Sequence, residues 1–168
     1  GDDRLIILGF DTLIRAVSNY FPVTYTWTPM DSLNCLNPDC SLVQVDPTST
    51  TTYQVLVTNE NGCTATDEVI IRVIKDRPYF VPNVFSPNND GTNDGFTVFG
   101  GPGLELIEKL QVFSRWGELV FETNNILPNN ESAGWDGKFN GELVNPGVFV
   151  YLAQLRFVDE EIVEVKGD

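Results

Sequence analysis

The sequence predicts an all-β fold built as two tandem β-sandwich domains, and three observations lead to that reading. Apolar and polar residues alternate with a period of two in several short runs, the pattern of a half-buried strand. Turn-forming Gly, Pro, Asn and Asp residues separate those runs at short intervals. No segment shows a helical period of useful length, and 168 residues leave room for two units of about 80, small but sufficient for a sandwich.

The first domain is placed at residues 1–77. Residues 4–8 and 12–17 read as short strands around a turn at Gly9. In Val23–Thr28 the residues Val23, Tyr25 and Trp27 face one way and three threonines the other, with Trp27 in the place of a sandwich's core tryptophan. Leu42–Val45 is a further strand, ended by Asp46-Pro47-Thr48. Residues 52–58 turn Tyr53, Val55 and Val57 inward, and Asn59-Glu60-Asn61-Gly62 is a hairpin signal leading into residues 64–73. Tyr53 resembles the corner tyrosine of immunoglobulin-like folds, although the inter-sheet cysteine pair of antibody domains is missing. About seven strands in some 75 residues amount to an immunoglobulin-like sandwich.

Cys35 and Cys40 enclose the turn Leu36-Asn37-Pro38-Asp39, which brings their side chains close enough for a small disulfide loop in an exported protein. Two thiols in a chain without His make a poor zinc site. Cys63 is then left over, either as a small buried hydrophobe or with a partner in another stretch of chain.

Lys75-Asp76-Arg77-Pro78 is a short charged junction, and the second domain is placed at residues 78–168. Tyr79 to Phe85 leads into an Asn- and Asp-rich loop, and residues 96–99 read as the strand that follows, ended by Gly100-Gly101-Pro102-Gly103. Residues 106–113 and 119–121 form a hairpin across Arg115-Trp116-Gly117, with an aromatic at its tip. Residues 124–134 read as a surface loop whose end Trp135-Asp136-Gly137 fastens, Trp135 being a core residue and Trp116 either core or contact. Residues 147–158 are the longest predicted strand, apolar on both faces at the start and so central in a sheet, and residues 161–168 begin its partner.

Proline and two glycines wind Ser86-Pro87-Asn88-Asn89-Asp90-Gly91-Thr92-Asn93-Asp94-Gly95 tightly, and its oxygens half-match a calcium loop. Ser86, Asn88, Asp90 and Asp94 occupy ligand positions, Gly91 the turn and Thr92 the carbonyl position, while Thr97 stands where a full site has a bidentate Glu. The competing reading is an Asx-rich turn closed by its own hydrogen bonds without an ion.

Composition narrows the function. The formal charge of -14 excludes a nucleic-acid face; residues 1–77 carry five basic and ten acidic groups, and residues 78–168 five and fourteen. Without His there is no Ser-His-Asp or Cys-His arrangement, no serine sits in a nucleophile elbow, and Glu105, Glu108, Glu160 and Glu161 read as solvated charges at strand ends. The chain is therefore expected to be no enzyme. No apolar run approaches the roughly 20 residues of a membrane helix. The start at Gly1 carries no signal-peptide pattern, so the chain reads as a piece of a longer protein.

Four blocks in order carry a family resemblance. They are Phe80-Val81-Pro82-Asn83-Val84-Phe85-Ser86-Pro87-Asn88-Asn89-Asp90-Gly91-Thr92-Asn93-Asp94, then Val112-Phe113-Ser114-Arg115-Trp116-Gly117-Glu118-Leu119-Val120-Phe121, then Gly134-Trp135-Asp136-Gly137-Lys138-Phe139-Asn140-Gly141, then Pro146-Gly147-Val148-Phe149-Val150-Tyr151. Together they resemble the gliding-motility-associated C-terminal domain, the type B sorting domain of type IX secretion cargo. Residues 1–77 resemble the PKD/immunoglobulin-like repeats that precede it in large surface adhesins.

The resemblance implies a folded signal on a protein of the Gram-negative cell surface, recognised by the type IX translocon and a PorP/SprF-family outer-membrane protein. Recognition needs exposed turns, so Asn88, Asp90, Asn93, Asp94, Arg115, Trp116 and Gly117 are the candidate contacts. The family pattern continues past Lys166-Gly167-Asp168 into a short apolar strand, absent here, which is expected to leave an edge open to strand addition. The alternative is an adhesive or carbohydrate-binding pair of sandwiches, with Ca²⁺ stiffening the loop around Ser86, Asn88, Asp90, Thr92 and Asp94.

Overall fold

A computed structural model describes residues 2–168; Gly1, with which the first domain is expected to begin, lies outside the described residues. The chain divides into two compact units, Gly1–Asp76 and Arg77–Asp168. Both are built from strands.

The first unit is a seven-stranded sandwich. Its strands are β1 (Arg4–Ile7), β2 (Thr12–Arg15), β3 (Val23–Thr28), β4 (Leu33–Cys35), β5 (Leu42–Val45), β6 (Thr51–Asn59) and β7 (Thr64–Ile74). One sheet has the order β1-β7-β6-β3, with β1 parallel to β7 and the other pairs antiparallel; the second has the order β2-β5-β4. Their inner faces meet in one core of Ile6, Ile14, Trp27, Val43, Val45, Tyr53, Val55, Val69 and Ile71. The period of two places every one of these residues, since each lies on the buried phase of its strand. The Trp27 indole N–H donates to the Cys40 carbonyl at 2.8 Å, and the Tyr53 hydroxyl donates to the Ser32 carbonyl at 3.4 Å. Both large polar-tipped aromatics therefore bury their rings with the polar atom satisfied. Cys35 and Cys40 are joined in a disulfide that packs against this core beside Trp27.

In the hairpin between β6 and β7, the Asn59 side chain accepts from the amides of Asn61 and Cys63, and Gly62 takes a φ of 79°. Cys63 is exposed there, which removes the reading of it as a buried small hydrophobe. Strand β4 is a second difference, since the segment before Cys35 is unassigned in the sequence reading. It pairs Leu33, Asn34 and Cys35 with Val45, Gln44 and Val43.

The second unit is organised on one four-stranded antiparallel sheet with small β pieces around it. Its strands are β8 (Tyr79–Phe80), β9 (Phe99–Gly100), β10 (Leu104–Ser114), β11 (Leu119–Ile126), β12 (Lys138–Phe139), β13 (Glu142–Leu143), β14 (Phe149–Phe157) and β15 (Ile162–Gly167). The main sheet runs β11-β10-β14-β15, with β8 paired to β9 and β12 to β13. Leu104, Ile107, Leu110, Val112, Ala153, Leu155, Phe157 and Val165 are buried from it, with Phe96, Val98 and Trp135 from the flanking segments.

Three boundaries differ from the expectations. Residues 96–99 are not one strand: Phe96 makes an isolated bridge to Trp135, and only Phe99–Gly100 pairs with β8. The expected loop at 124–134 starts later, because Asn124 and Ile126 still pair with Lys109 and Ile107. The strand read as the longest spans nine residues in β14 against eleven in β10, although β14 is central as expected.

Candidate functional site

The two ends of the main sheet differ in character. At one end lie Leu104, Phe157 and Ile126; at the other lie Ser114, Phe149, Leu119 and Gly167. The exposed turns singled out in the sequence gather at the second end.

The β10–β11 hairpin tip is ordered although it projects into solvent. The Ser114 hydroxyl accepts from the amides of Trp116 and Glu118, each at 3.3 Å, while Gly117 with a φ of 82° donates its amide to the Ser114 carbonyl. Trp116 is 86% exposed, with the Arg115 guanidinium 5.2 Å from its ring centre. Core packing for Trp116 is thereby removed, and a cation–π pair stands at the tip.

Trp135 does the opposite. It is 1% exposed, its ring lies 5.3 Å from Phe85 and 4.8 Å from Phe149, and its indole N–H donates to the Lys138 carbonyl at 2.8 Å. Replacing such a ring with Ala typically costs about 3–5 kcal/mol. Phe96 continues the cluster, 5.9 Å from Phe85 and 5.4 Å from Tyr151.

The loop at 86–95 is closed from within. The Ser86 amide donates to the Asn93 carbonyl at 2.8 Å, and Asn89, Gly91 and Asn93 all take positive φ. Asp94 is its hub: one carboxylate oxygen accepts from the amides of Asn88 (3.0 Å) and Asn89 (2.6 Å), the other from Gly91 (2.8 Å). Asp90 accepts from the Thr92 amide and the Asn88 side chain. The Gly91 amide above all, then those of Asn89 and Asn88, hold the Asp94 carboxyl below its ordinary value. A cation on these oxygens would compete with the N–H donors that shape the loop. Among the described residues, no group of three or more His, Cys, Asp or Glu is placed to hold a metal ion.

The loop seats on the Trp135 block through Gly137, whose φ is 74° and whose missing side chain leaves room for the Pro87 ring. Between residues 82–88 and 143–149 runs an open, mainly apolar groove of about 840 Å³, with Phe96, Trp135 and Tyr151 among its lining and Asp168 at its margin. Val84, Leu143 and Val148 are exposed along it. Sequence reasoning missed this groove, because it forms only when the first and fourth family blocks come together; their apolar residues outside any strand pattern were the available signal. The last pair of β14 with β15 is Tyr151 with Gly167, so Phe149 and Val150 pair with β10 on one side and, among the described residues, with no strand on the other.

No helix among the described residues is long and apolar enough to cross a membrane. No curated protein matches the chain in sequence. Solved structures that resemble it include the insect immune protein hemolin (14% identity, TM-score 0.39, covering 99% of this chain and 44% of that one) and the N-terminal four Ig domains of Dscam1 (12%, 0.35, 99% and 43%). Dimeric latent PorU from Porphyromonas gingivalis is also similar (11%, 0.33, 99% and 18%). The chain spans less than half the length of each of the three, and scores at this level carry no inference about function. Residues 79–167 match the family described as the CHU_C type IX secretion signal domain, which implies secretion and attachment to the cell surface. With more than half of its residues inside that match, the chain belongs to the type IX secretion signal family.

Proposed function

We propose that the C-terminal unit is a non-enzymatic address read in its folded form by the type IX translocon and a PorP/SprF-family outer-membrane protein, and that the first unit is a PKD/immunoglobulin-like stalk repeat. The passenger is then an adhesin-type protein held at the outer membrane. The observation that supports a folded rather than linear signal is Trp116, 86% exposed on a tip whose shape depends on the Ser114 hydroxyl and Gly117. Trp and Arg are both among the residue types enriched at binding hot spots. Asn88, Asp90, Asn93 and Asp94 of the 86–95 loop extend the same end of the sheet, and the backbone of Phe149 and Val150, paired on one side only among the described residues, is the proposed place for strand addition.

The test places a reporter ahead of the chain, with a leader into the periplasm of a host carrying the type IX machinery. Wild-type fusion is expected at the cell surface or in the medium. Trp116→Ala is expected to weaken capture by roughly 30-fold, the equivalent of a 2 kcal/mol hot spot. Its melting temperature should stay within about 4 °C of wild type, because an exposed side chain contributes little to the fold. Export of the Trp116→Ala and Arg115→Ala proteins at the wild-type level would refute the tip as the contact.

A further inference from the structure

At the opposite end of the main sheet, the chain entry is tied down by a residue that lies outside the family match. Arg77 precedes the matched region by two positions, yet its guanidinium sits 2.6 Å from the Asp159 carboxylate in the β14–β15 turn. The Asp159 side chain is 5% exposed and that of Arg77 21%, and the guanidinium also lies 5.4 Å from the centre of the buried Phe157 ring. Backbone contacts converge on the same corner: Gly101 donates to the Pro78 carbonyl, Val158 to the Gly103 carbonyl and Leu104 to the Gly101 carbonyl. Three segments far apart in sequence, residues 77–80, 100–104 and 157–161, are thus closed around one ion pair.

We propose that Arg77 is a positioning residue of the secretion domain, a clasp that fastens the chain entry to the β14–β15 turn, so that the working signal begins at Arg77 rather than at Tyr79. The Asp159 carboxylate is buried, so losing the Arg77 guanidinium takes from it a charged partner at 2.6 Å that bulk water does not replace. An exposed surface pair would behave differently, contributing little whichever partner is lost. The clasp keeps the entry strand β8 on β9 and leaves the Trp116 end free. That last step rests on the proposed secretion role, whereas the clasp itself does not.

The experiment uses the whole 168-residue chain with Arg77→Met, Asp159→Asn, the double variant and Arg77→Lys. Calorimetry should show the transition of the C-terminal unit lowered by at least about 10 °C in either single variant. The double variant should be no worse than the poorer single one, and Arg77→Lys should recover part of the loss. Hydrogen exchange at the Gly101 and Val158 amides should accelerate before exchange in the centre of β10. Single variants within about 2 °C of wild type, or strictly additive losses, would overturn the clasp. In the reporter assay, clasp variants should lose export at temperatures where the wild type retains it. Failure of the wild type to be exported would reject the secretion role and leave the calorimetry and exchange to judge the clasp.

Discussion

Replacing Gly137 with Ala tests how the 86–95 loop is held, because two separable penalties meet at that position. Its φ of 74° is left-handed, which costs a residue with a Cβ about 1–2 kcal/mol. The new Cβ would also stand 2.6 Å from Pro87 Cγ and 3.2 Å from Pro87 Cβ, in a ring that cannot swing aside, an overpacking penalty of about 1–3 kcal/mol. Together they amount to about 2–5 kcal/mol, or roughly 10–30 °C in the melting temperature of a domain of this size. Gly141→Ala supplies the control: its φ is 86° but nothing lies within 4 Å of its added Cβ, so it should show the backbone penalty alone. Scanning calorimetry of both variants in the whole chain, with the N-terminal transition as internal reference, measures the difference. Equal shifts for the two variants would mean that Pro87 does not rest on Gly137, and that the loop is not fastened to the Trp135 block.

Two other perturbations probe single devices. Because the folded-state pKa of Asp94 lies below its ordinary value of 3.8, its ionised form contributes stability that is complete above that value and lost as pH falls through the depressed one. The amide signals of Gly91, Asn89 and Asn88 should therefore shift together on acidification below pH 3.8, and not in Asp94→Asn, while millimolar calcium leaves the melting temperature unchanged. In the first unit, Cys35→Ser with Cys40→Ser opens a loop of sequence separation 5 and should lower stability by about 2 kcal/mol, measured by urea unfolding.

What was legible in the sequence is what local chemistry decides. The period of two identified the inward faces of β3 and β6, because a strand has no other way to bury Trp27, Tyr53 and Val55 together. Asn59 to Gly62 announced its hairpin, since the Asn side chain and the positive φ of Gly62 are properties of the turn itself. Residues 96–99 misled for the converse reason: Phe96, Thr97 and Val98 are all buried, Phe96 bridges to Trp135, and the backbone approach at Gly134 leaves room for a bridge rather than a ladder. Arg77 and Asp159 are separated by 82 positions, and no window of sequence contains both. The short strand β4 was hidden because three residues ending in a disulfide cysteine look like loop.

The same distinction explains why the proposed docking surface was easier to name than to delimit. A Ser-His-Asp or Cys-His site announces itself through residue types that have few other uses, and a chain without His offers neither combination. A recognition surface uses ordinary turns, so only exposure separates Trp116, the proposed contact, from the core Trp135, at 86% against 1%. Each tryptophan stands one or two residues ahead of a turn glycine at positive φ, Gly117 and Gly137, so the local patterns are similar and the tertiary settings are not. Trp135 has Phe85 and Phe149 against it because the 82–88 and 143–149 segments return across its face. Trp116 has Arg115 over its ring and stays 86% exposed, because the hairpin carries it past the last paired residues of the sheet, Ser114 and Phe149. A polar replacement at 116 should thus act on capture, and one at 135 on folding; a variant at 116 that unfolds the domain would show that the tip serves the core after all.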